Sequence, residues 1–216
     1  MKVEVLKNIS SANDAVAGKN KEVLNKSGVT AINIMSSPGA GKTSLILKTI
    51  ESLRNKVKMA VIEGDVASKV DADRIDKEGI TALQINIGSS CSLEAHMITP
   101  ALEKLDLKNI DLLLIENVGN LICPAEFDLG EHVKVVITSL PEGDDKPIKY
   151  PLMFTESDAV LINKIDLAPY MDFDINNFRK VVTGLNPDIT ILEVSAKTGK
   201  GIDQWCKWLL GKMSKK

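Results

Sequence analysis

The stretch SSPGAGKT, residues 36–43, decides the fold of this chain. It follows an apolar, β-branched run at residues 30–35, which is typical of a buried strand, and it opens a helix-like pattern at residues 43–54. Its glycines allow backbone N–H groups to converge at the start of that helix, and its lysine supplies a cation. The stretch therefore predicts a phosphate-binding loop, although Ser36 stands where the usual pattern has glycine.

Each residue type in this loop has a chemical role toward a nucleotide. Lys42 is expected to reach the β- and γ-phosphates, and the hydroxyl of Thr43 can hold Mg²⁺. A glycine-rich turn without a ligand is the alternative, which the Gly-Lys-Thr ending disfavours. The predicted nucleotide-binding residues of the loop are Pro38, Gly39, Ala40, Gly41, Lys42, Thr43 and Ser44.

Apolar segments alternate with helix-like segments along the rest of the chain. The predicted strands cover residues 30–35, 57–62, 81–85, 110–115, 133–138, 159–162 and 190–193. The predicted helices cover residues 12–26, 43–54, 72–78, 93–105, 175–183 and 202–210. This alternation predicts an α/β fold with a mostly parallel central sheet of about seven strands flanked by helices.

The length of 216 residues favours one domain with a sizeable core over two separate ones. We expect a single nucleotide-binding domain over residues 1–216, with residues 1–28 as an N-terminal helical extension. Residues 143–151, rich in Gly, Asp and Pro, form the longest irregular stretch and are predicted to be a functional loop.

Composition excludes several classes of protein. The net charge of −2, without a long basic run outside the last few residues, disfavours nucleic acid and anionic membranes as partners. No apolar run approaches the roughly 18 residues of a membrane span, and the first residues lack the apolar centre of a signal peptide. We therefore expect a cytoplasmic protein. Its 3 cysteines are too few for a disulfide framework and are expected to be reduced thiols.

The tetrapeptide NKID at residues 163–166 follows a predicted strand and matches the Asn-Lys-x-Asp motif of GTPases. By this resemblance, Asp166 accepts hydrogen bonds from guanine, Lys164 packs along the base and Asn163 ties the loop together. A solvated charged turn is the alternative for so short a motif.

A second element supports the guanine assignment. The tripeptide SAK at residues 195–197 follows another predicted strand, in the place where GTPases make a backbone contact to the guanine oxygen. Two elements in the right order predict GTP and GDP as ligands rather than adenine nucleotides. The predicted base-binding residues are Asn163, Lys164, Asp166, Ser195, Ala196 and Lys197.

The apolar run at residues 110–115 leads into the sequence ENVG, residues 116–119. This resembles the acidic-x-x-Gly switch of the GTPase class that includes signal-recognition and metallochaperone members. Gly119 can turn its N–H toward the γ-phosphate, and Glu116 can act on Mg²⁺ directly or through water. Asp65, at the end of another strand, is the stronger candidate for the Mg²⁺ ligand, although either carboxylate could instead cap the following segment.

The predicted catalytic residues are Lys42, Thr43, Asp65, Glu116 and Gly119, with Thr43 and Asp65 as the magnesium ligands. The switch holds no obvious water-positioning glutamine. We therefore expect slow hydrolysis of GTP by the isolated molecule, with a partner or a second subunit completing the site.

Four segments together resemble the HypB family of nickel-incorporation GTPases. They are ENVGNLICPAEFDLG at residues 116–130, GDV at 64–66, CSLEAH at 91–96 and EGDDKP at 142–147. The segments occur in family order, and the resemblance extends from about residue 29 to 201. It implies a GTPase that assists nickel insertion during NiFe-hydrogenase maturation.

In that family, Cys91 and Cys123 correspond to thiolate ligands of a metal site between two GTP-bound subunits. One pair offers too few ligands, whereas two pairs across a two-fold axis give four thiolates. Four sulfurs suit tetrahedral Zn²⁺, and a planar arrangement suits Ni²⁺. The resemblance implies a homodimer on GTP binding, a nickel-delivery partner, and a hydrogenase large subunit or another nickel enzyme as client.

The chain departs from the family at Ser92, where a histidine is usual. His96 could replace the missing imidazole and His132 is a weaker candidate, while unliganded buried thiols remain an alternative for the two cysteines. Cys206 lies between Trp205 and Trp208 and is assigned to core packing.

Four further functions compete with this one. A urease accessory GTPase carries Cys-Pro-His at its metal loop, whereas residues 123–125 are Cys-Pro-Ala here. An accessory GTPase for a carbon monoxide dehydrogenase and a nucleotide-gated metal carrier with incidental hydrolysis are both compatible with the sequence. A partition-type ATPase is disfavoured by the guanine motif.

Overall fold

The computed structural model describes residues 9–65, 75 and 78–213. Within this part, seven parallel strands form one sheet in the order β3-β2-β4-β1-β5-β6-β7. The strands are β1 Thr30–Ser36, β2 Met59–Asp65, β3 Thr81–Asn86, β4 Leu112–Gly119, β5 Val133–Ser139, β6 Ala159–Asn163 and β7 Thr190–Glu193. The predicted α/β class and the seven predicted strands are thereby confirmed.

Helices cover both faces of this sheet. They are α1 Ile9–Ser27, α2 Lys42–Leu53, α3 Ala95–Lys104, α4 Cys123–Glu126, α5 Lys146–Lys149, α6 Pro151–Thr155, α7 Ile175–Leu185 and α8 Ile202–Lys212. Single 3₁₀ turns lie at Leu107–Asn109, Leu140–Glu142 and Ile165–Tyr170. Most of the helix predicted at residues 72–78 lies outside the described residues. None of the described helices is both long and apolar enough to cross a bilayer.

The central strand β1 explains why the apolar runs are continuous. All of its residues are buried, and alternate side chains enter different clusters. Ile32 and Ile34 pack with α2 and α8, whereas Ala31 packs on the face covered by α1 and α3. A parallel strand covered on both faces needs apolar side chains in both directions.

The N-terminal helix α1 packs on the domain through buried asparagines as well as apolar residues. Asn20 donates to the carbonyls of Ala95 and Leu129 at 2.9 and 3.0 Å. Gly130 lies so close to this helix that a Cβ there would be 2.6 Å from the Ala17 carbonyl oxygen. The helix is therefore an integral layer of the structure.

The prediction of an irregular loop at residues 143–151 is wrong in part. The segment contains α5 and the first residue of α6, and each of these short helices carries proline in its first turn. Proline is tolerated there because the first N–H groups of a helix have no partner within it. The prolines that suggested a loop in the sequence therefore begin helices.

The order of the strands places the candidate site. The connection from β1 leads to β2 on one side of the sheet, whereas the connection from the neighbouring β4 leads to β5 on the other side, so the direction of winding reverses between β1 and β4. Ligands of open α/β sheets bind beyond the carboxyl ends of the strands at such a reversal. The loop after β1, and the ends of β2, β4 and β6, meet there.

Candidate nucleotide and metal site

The loop after β1 has the backbone geometry of a phosphate cradle. Gly41 is the N-cap of α2 with φ of 100°, and Gly39 has φ of 77°, values that favour glycine. Lys42 is buried, and its ammonium group donates to the Ser36 hydroxyl at 3.0 Å. The serine that departs from the usual pattern thus holds the loop's lysine.

A cavity of about 580 Å³ opens between this loop and the ends of β2 and β4. Within it, the Thr43 hydroxyl donates to Glu116 Oε1 at 2.9 Å, so the candidate magnesium ligand on α2 meets the carboxylate at the end of β4. Hydroxyl and carboxylate oxygens are among the ligands that Mg²⁺ prefers. Asp65 is the last residue of β2, but its side chain is not among those that the structure describes.

Sequence reasoning missed Glu63, which also lines this cavity and is buried. It pairs with Glu116 across the β2–β4 register, so two carboxylates lie side by side at the phosphate end of the site. The signal was available in the sequence, because Glu63 lies two residues before Asp65 and alternate residues of a strand share a face.

Gly119 lies directly against the phosphate-binding loop. A Cβ at this position would be 2.9 Å from the Cα of Pro38, which is closer than real Cβ atoms come. Only glycine permits this approach of the two backbones. The end of β4 therefore touches the loop that would hold the phosphates.

A second carboxylate missed by sequence reasoning braces the same loop. Glu142 accepts a hydrogen bond from the Ser37 hydroxyl of the loop and another from Ser139 at 2.6 Å. The 3₁₀ turn after β5 thereby supports the phosphate-binding loop from the side opposite β4.

The residues predicted to meet a base form a connected group around the same loop. Asn163 donates to the Ala40 carbonyl at 2.8 Å and accepts from the Ala196 N–H at 3.1 Å. Lys164, with φ of 61°, donates to the Gly39 carbonyl at 2.7 Å. The loops after β1, β6 and β7 are therefore tied together by side chains of the NKID motif.

The carboxylate of this motif is itself oriented. The Ser195 hydroxyl donates to Asp166 Oδ1 at 2.6 Å, a contact that sequence reasoning did not assign. Lys197 is exposed at the surface beside it.

The structure brings Cys91 and Cys123 together, with their Cα atoms 6.2 Å apart and their sulfurs joined as a disulfide. The expectation that both are reduced thiols is wrong for this structure. Counting cysteines could not detect the pair, because its members are 32 residues apart and meet only where the Cys91 loop packs against the start of α4. The reduced form of the same pair would present two thiolates on one surface.

The remaining candidate metal ligands have different surroundings. Ser92 is buried, with 1% of its surface exposed. His96 is exposed, and its Nδ1 lies 3.4 Å from the Glu94 carboxylate. His132 uses both ring nitrogens, since Nδ1 accepts from the Ala31 N–H and Nε2 contacts Asn25, and burial lowers the pKa of its imidazole. Cys206 packs in the core, where burial raises the pKa of its thiol.

A parallel sheet whose central strand ends in a glycine-rich loop, with a lysine and a threonine opening the next helix, defines the class of P-loop NTPases. The model of the CobW/HypB/UreG nucleotide-binding domain matches residues 30–193. The chain therefore belongs to the CobW/HypB/UreG family, within its HypB branch.

Relatives of that branch are similar over almost the whole chain. The hydrogenase maturation factor HypB of Rhizobium leguminosarum bv. viciae is 47% identical, covering 96% of this chain and 69% of the relative. The crystal structure of the HypB hydrogenase maturation factor from Archaeoglobus fulgidus has a TM-score of 0.89 at 45% identity, with 94% and 100% of the two chains covered. That of HypB from Helicobacter pylori in complex with nickel has a TM-score of 0.89 at 40% identity, with 94% and 95% covered.

Proposed function

We propose that this protein binds and hydrolyses GTP and uses its nucleotide state to control a metal site shared by two copies of the chain. Through that site it would assist nickel insertion into a NiFe-hydrogenase. The observation that carries the proposal is the short connection between the two centres. Gly119 touches the phosphate-binding loop, and Cys123 follows it by only four residues.

Selection of guanine would rest on the base end of the site. Asp166 can accept from the ring N–H and the exocyclic amino group of guanine, a pattern that adenine does not offer. The hydrogen bond from Ser195 holds this carboxylate in place, and the bond from Lys164 to the Gly39 carbonyl keeps the lysine stem beside the base position. The orientation is established before the nucleotide arrives, which reduces the entropy lost on binding.

Hydrolysis would rest on the phosphate end. Lys42 would exchange its bond to Ser36 for the β- and γ-phosphate oxygens, and the backbone N–H of Gly119 would meet the γ-phosphate. Mg²⁺, when bound, would offset phosphate charge. Thr43 and Glu116, whose side chains are hydrogen-bonded to each other, would hold it, together with Asp65 as a third candidate. We expect slow turnover in the isolated chain, and a cytoplasmic site of action where GTP is available.

The metal site would need a second copy. The reduced Cys91 and Cys123 supply two thiolates, and a two-fold axis beside them would supply two more, enough for a tetrahedral or planar site. Metal binding and dimerisation would then be linked. Nickel is supported as cargo by the nickel complex of the Helicobacter pylori relative, and hydrogenase as client by the names of the related maturation factors.

The test is titration of the reduced protein with Ni²⁺, in the presence of GDP or a non-hydrolysable GTP analogue, with the molecular mass measured in solution. We expect tighter metal binding and a dimer with the GTP analogue, and loss of both the tight site and the metal-dependent dimer in Cys91→Ala and Cys123→Ala. Cys206→Ala is the matched control, because this third cysteine lies in the core and should leave the titration unchanged. A monomer under every condition, or unchanged affinity in both site variants, would overturn the proposal.

A further inference from the structure

A series of buried, hydrogen-bonded polar side chains crosses the sheet beneath the candidate nucleotide site and the cysteine pair. Asn117, in β4, is 1% exposed, and its Nδ2 donates to Asn33 Oδ1 at 3.2 Å. Asn33, in β1, donates in turn to Glu131 Oε1 at 3.2 Å. Buried amides are retained in a core when each of their polar atoms has a partner, as these have.

The other end of the Asn117 amide reaches the loop that carries Cys91. Its Oδ1 accepts from the Leu93 N–H at 3.1 Å and from its own neighbour Val118 at 2.9 Å. The Leu93 side chain also packs against Gly64 at the end of β2, where a Cβ would come within 2.7 Å of it. The backbone two residues after Cys91 is therefore anchored to β4 by one amide oxygen.

Asn117 also lies between Glu116, which contacts helix α2, and Gly119, which contacts the phosphate-binding loop. Glu116 accepts from Thr43, and Gly119 abuts Pro38. A shift of this short backbone segment toward a γ-phosphate would carry the Asn117 oxygen with it. Since Asn33 holds the amide nitrogen, the side chain cannot rotate freely to keep its bond to Leu93.

We propose that Asn117 is the positioning residue that transmits the nucleotide state to Cys91, through its hydrogen bond to the Leu93 backbone. The inference rests on the proposed function and adds to it a specific connection. Cys123 moves with the nucleotide because it follows the switch in the chain. In the reduced protein Cys91 is not bonded to Cys123, and because it lies on a different loop it needs its own physical link. The Asn117 oxygen supplies that link, and the Asn120 amide, donating to the Cys91 carbonyl at 3.2 Å, supports it from the other side.

The first test compares the Ni²⁺ affinity of the reduced protein at saturating GDP with that at a saturating non-hydrolysable GTP analogue. We expect a ratio of about fivefold or more in the wild type, the usual range of coupling between two sites. In Asn117→Ala the ratio should fall toward unity by about twofold or more, because Cys91 loses its main link to the nucleotide state, whereas Cys123 keeps its own connection through the switch.

Asn20→Ala is the matched control. Asn20 is a buried asparagine with a similar number of hydrogen bonds, which go to the Ala95 and Leu129 carbonyls and the Thr99 hydroxyl rather than to β4. It should lower stability and keep the wild-type ratio. A ratio retained in Asn117→Ala, or lost equally in Asn20→Ala, would overturn the inference alone. A wild-type ratio of one would overturn both this inference and the proposed function.

The second test uses the wild type and does not depend on a variant folding. Amide hydrogen exchange, followed by NMR, should show protection of the Leu93 N–H that differs by about fivefold or more between the two nucleotide states. The Ala95 N–H, held by Asn13 of α1 at 2.9 Å, should exchange equally in both. Equal protection of Leu93 in the two states would overturn the inference.

Discussion

The base end and the phosphate end of the site are built in different ways. At the base end, Asn163, Lys164 and Ser195 hold their loops by hydrogen bonds made within the chain itself. At the phosphate end, the carboxylates of Glu63 and Glu116 lie beside each other on neighbouring strands, an arrangement that favours a cation between them and the phosphates. The proposed base selection would therefore be prepared by the fold, whereas the proposed phosphate chemistry would depend on ions and ligands that come from outside.

The largest effect should come from removing the cation of the phosphate end. Lys42→Ala should reduce GTP hydrolysis by at least about a thousandfold, because charge developing on the phosphates loses a positioned ammonium group. Phosphate release under single-turnover conditions measures it. Lys48→Ala, which removes an exposed lysine of the same helix bonded to Glu51, should keep the wild-type rate. Equal rates for Lys42→Ala and the wild type would remove this lysine from the site.

The base end is tested by Asp166→Asn. This change replaces one acceptor oxygen by an amide donor, and it should cost guanine nucleotides about 2 to 4 kcal/mol of binding free energy while improving the binding of xanthine nucleotides. Calorimetric titration with GDP, xanthosine diphosphate and ADP measures the preference. Comparable affinity of the wild type for ADP and GDP would contradict the distinction between the two ends.

The polar network beneath the phosphate end should make stability depend on pH. Burial, and then the neighbouring charge of Asp128, raise the pKa of Glu131 from 4.5 to about 7. A carboxyl with a raised pKa contributes stability that is fully present below pH 4.5 and is lost as the pH rises through about 7. The loss should amount to roughly 2 to 3 kcal/mol of unfolding free energy.

Urea unfolding of the reduced protein at about pH 5 and about pH 8 checks this prediction, because most of the loss falls between these two values. Glu131→Gln should remove most of the wild-type difference, because glutamine keeps the acceptor oxygen without the charge. Exposed Glu103→Gln should keep the difference. An unchanged pH dependence in Glu131→Gln would show that Glu131 is not the group that causes it.

The smallest effect concerns the preparation of the base end. Ser195→Ala removes the hydrogen bond that orients Asp166, and we expect GDP affinity to fall by about 1 kcal/mol, or roughly fivefold. Calorimetry at constant ionic strength measures this. Thr198→Ala is a suitable control on the same turn, since its N–H rather than its hydroxyl contacts Ser195. No loss in Ser195→Ala would mean that Asp166 is oriented by the base alone.

The sequence was sufficient for most features that depend on local pattern. The SSPGAGKT stretch, the seven apolar runs and the order of the GTPase-like motifs predicted the α/β sheet and the loops that gather at one edge of it. The departure from the usual pattern at Ser36 was visible in the sequence, but the hydrogen bond that Ser36 accepts from Lys42 was not. The mistaken loop at residues 143–151 arose because proline is compatible both with turns and with the first turn of a helix.

Only the tertiary structure decided which distant side chains share a surface. Glu142 entered the site through a turn, and Asn117 reached Leu93 across 24 residues of chain. The family resemblance implied one shared site for Cys91 and Cys123, but only the packing of the Cys91 loop against the start of α4 joined their sulfurs. Local propensity depends on neighbouring residues, so it predicts strands, helices and loops. Hydrogen bonds and sulfur pairs between loops depend on how the sheet stacks them, which no spacing along the chain records.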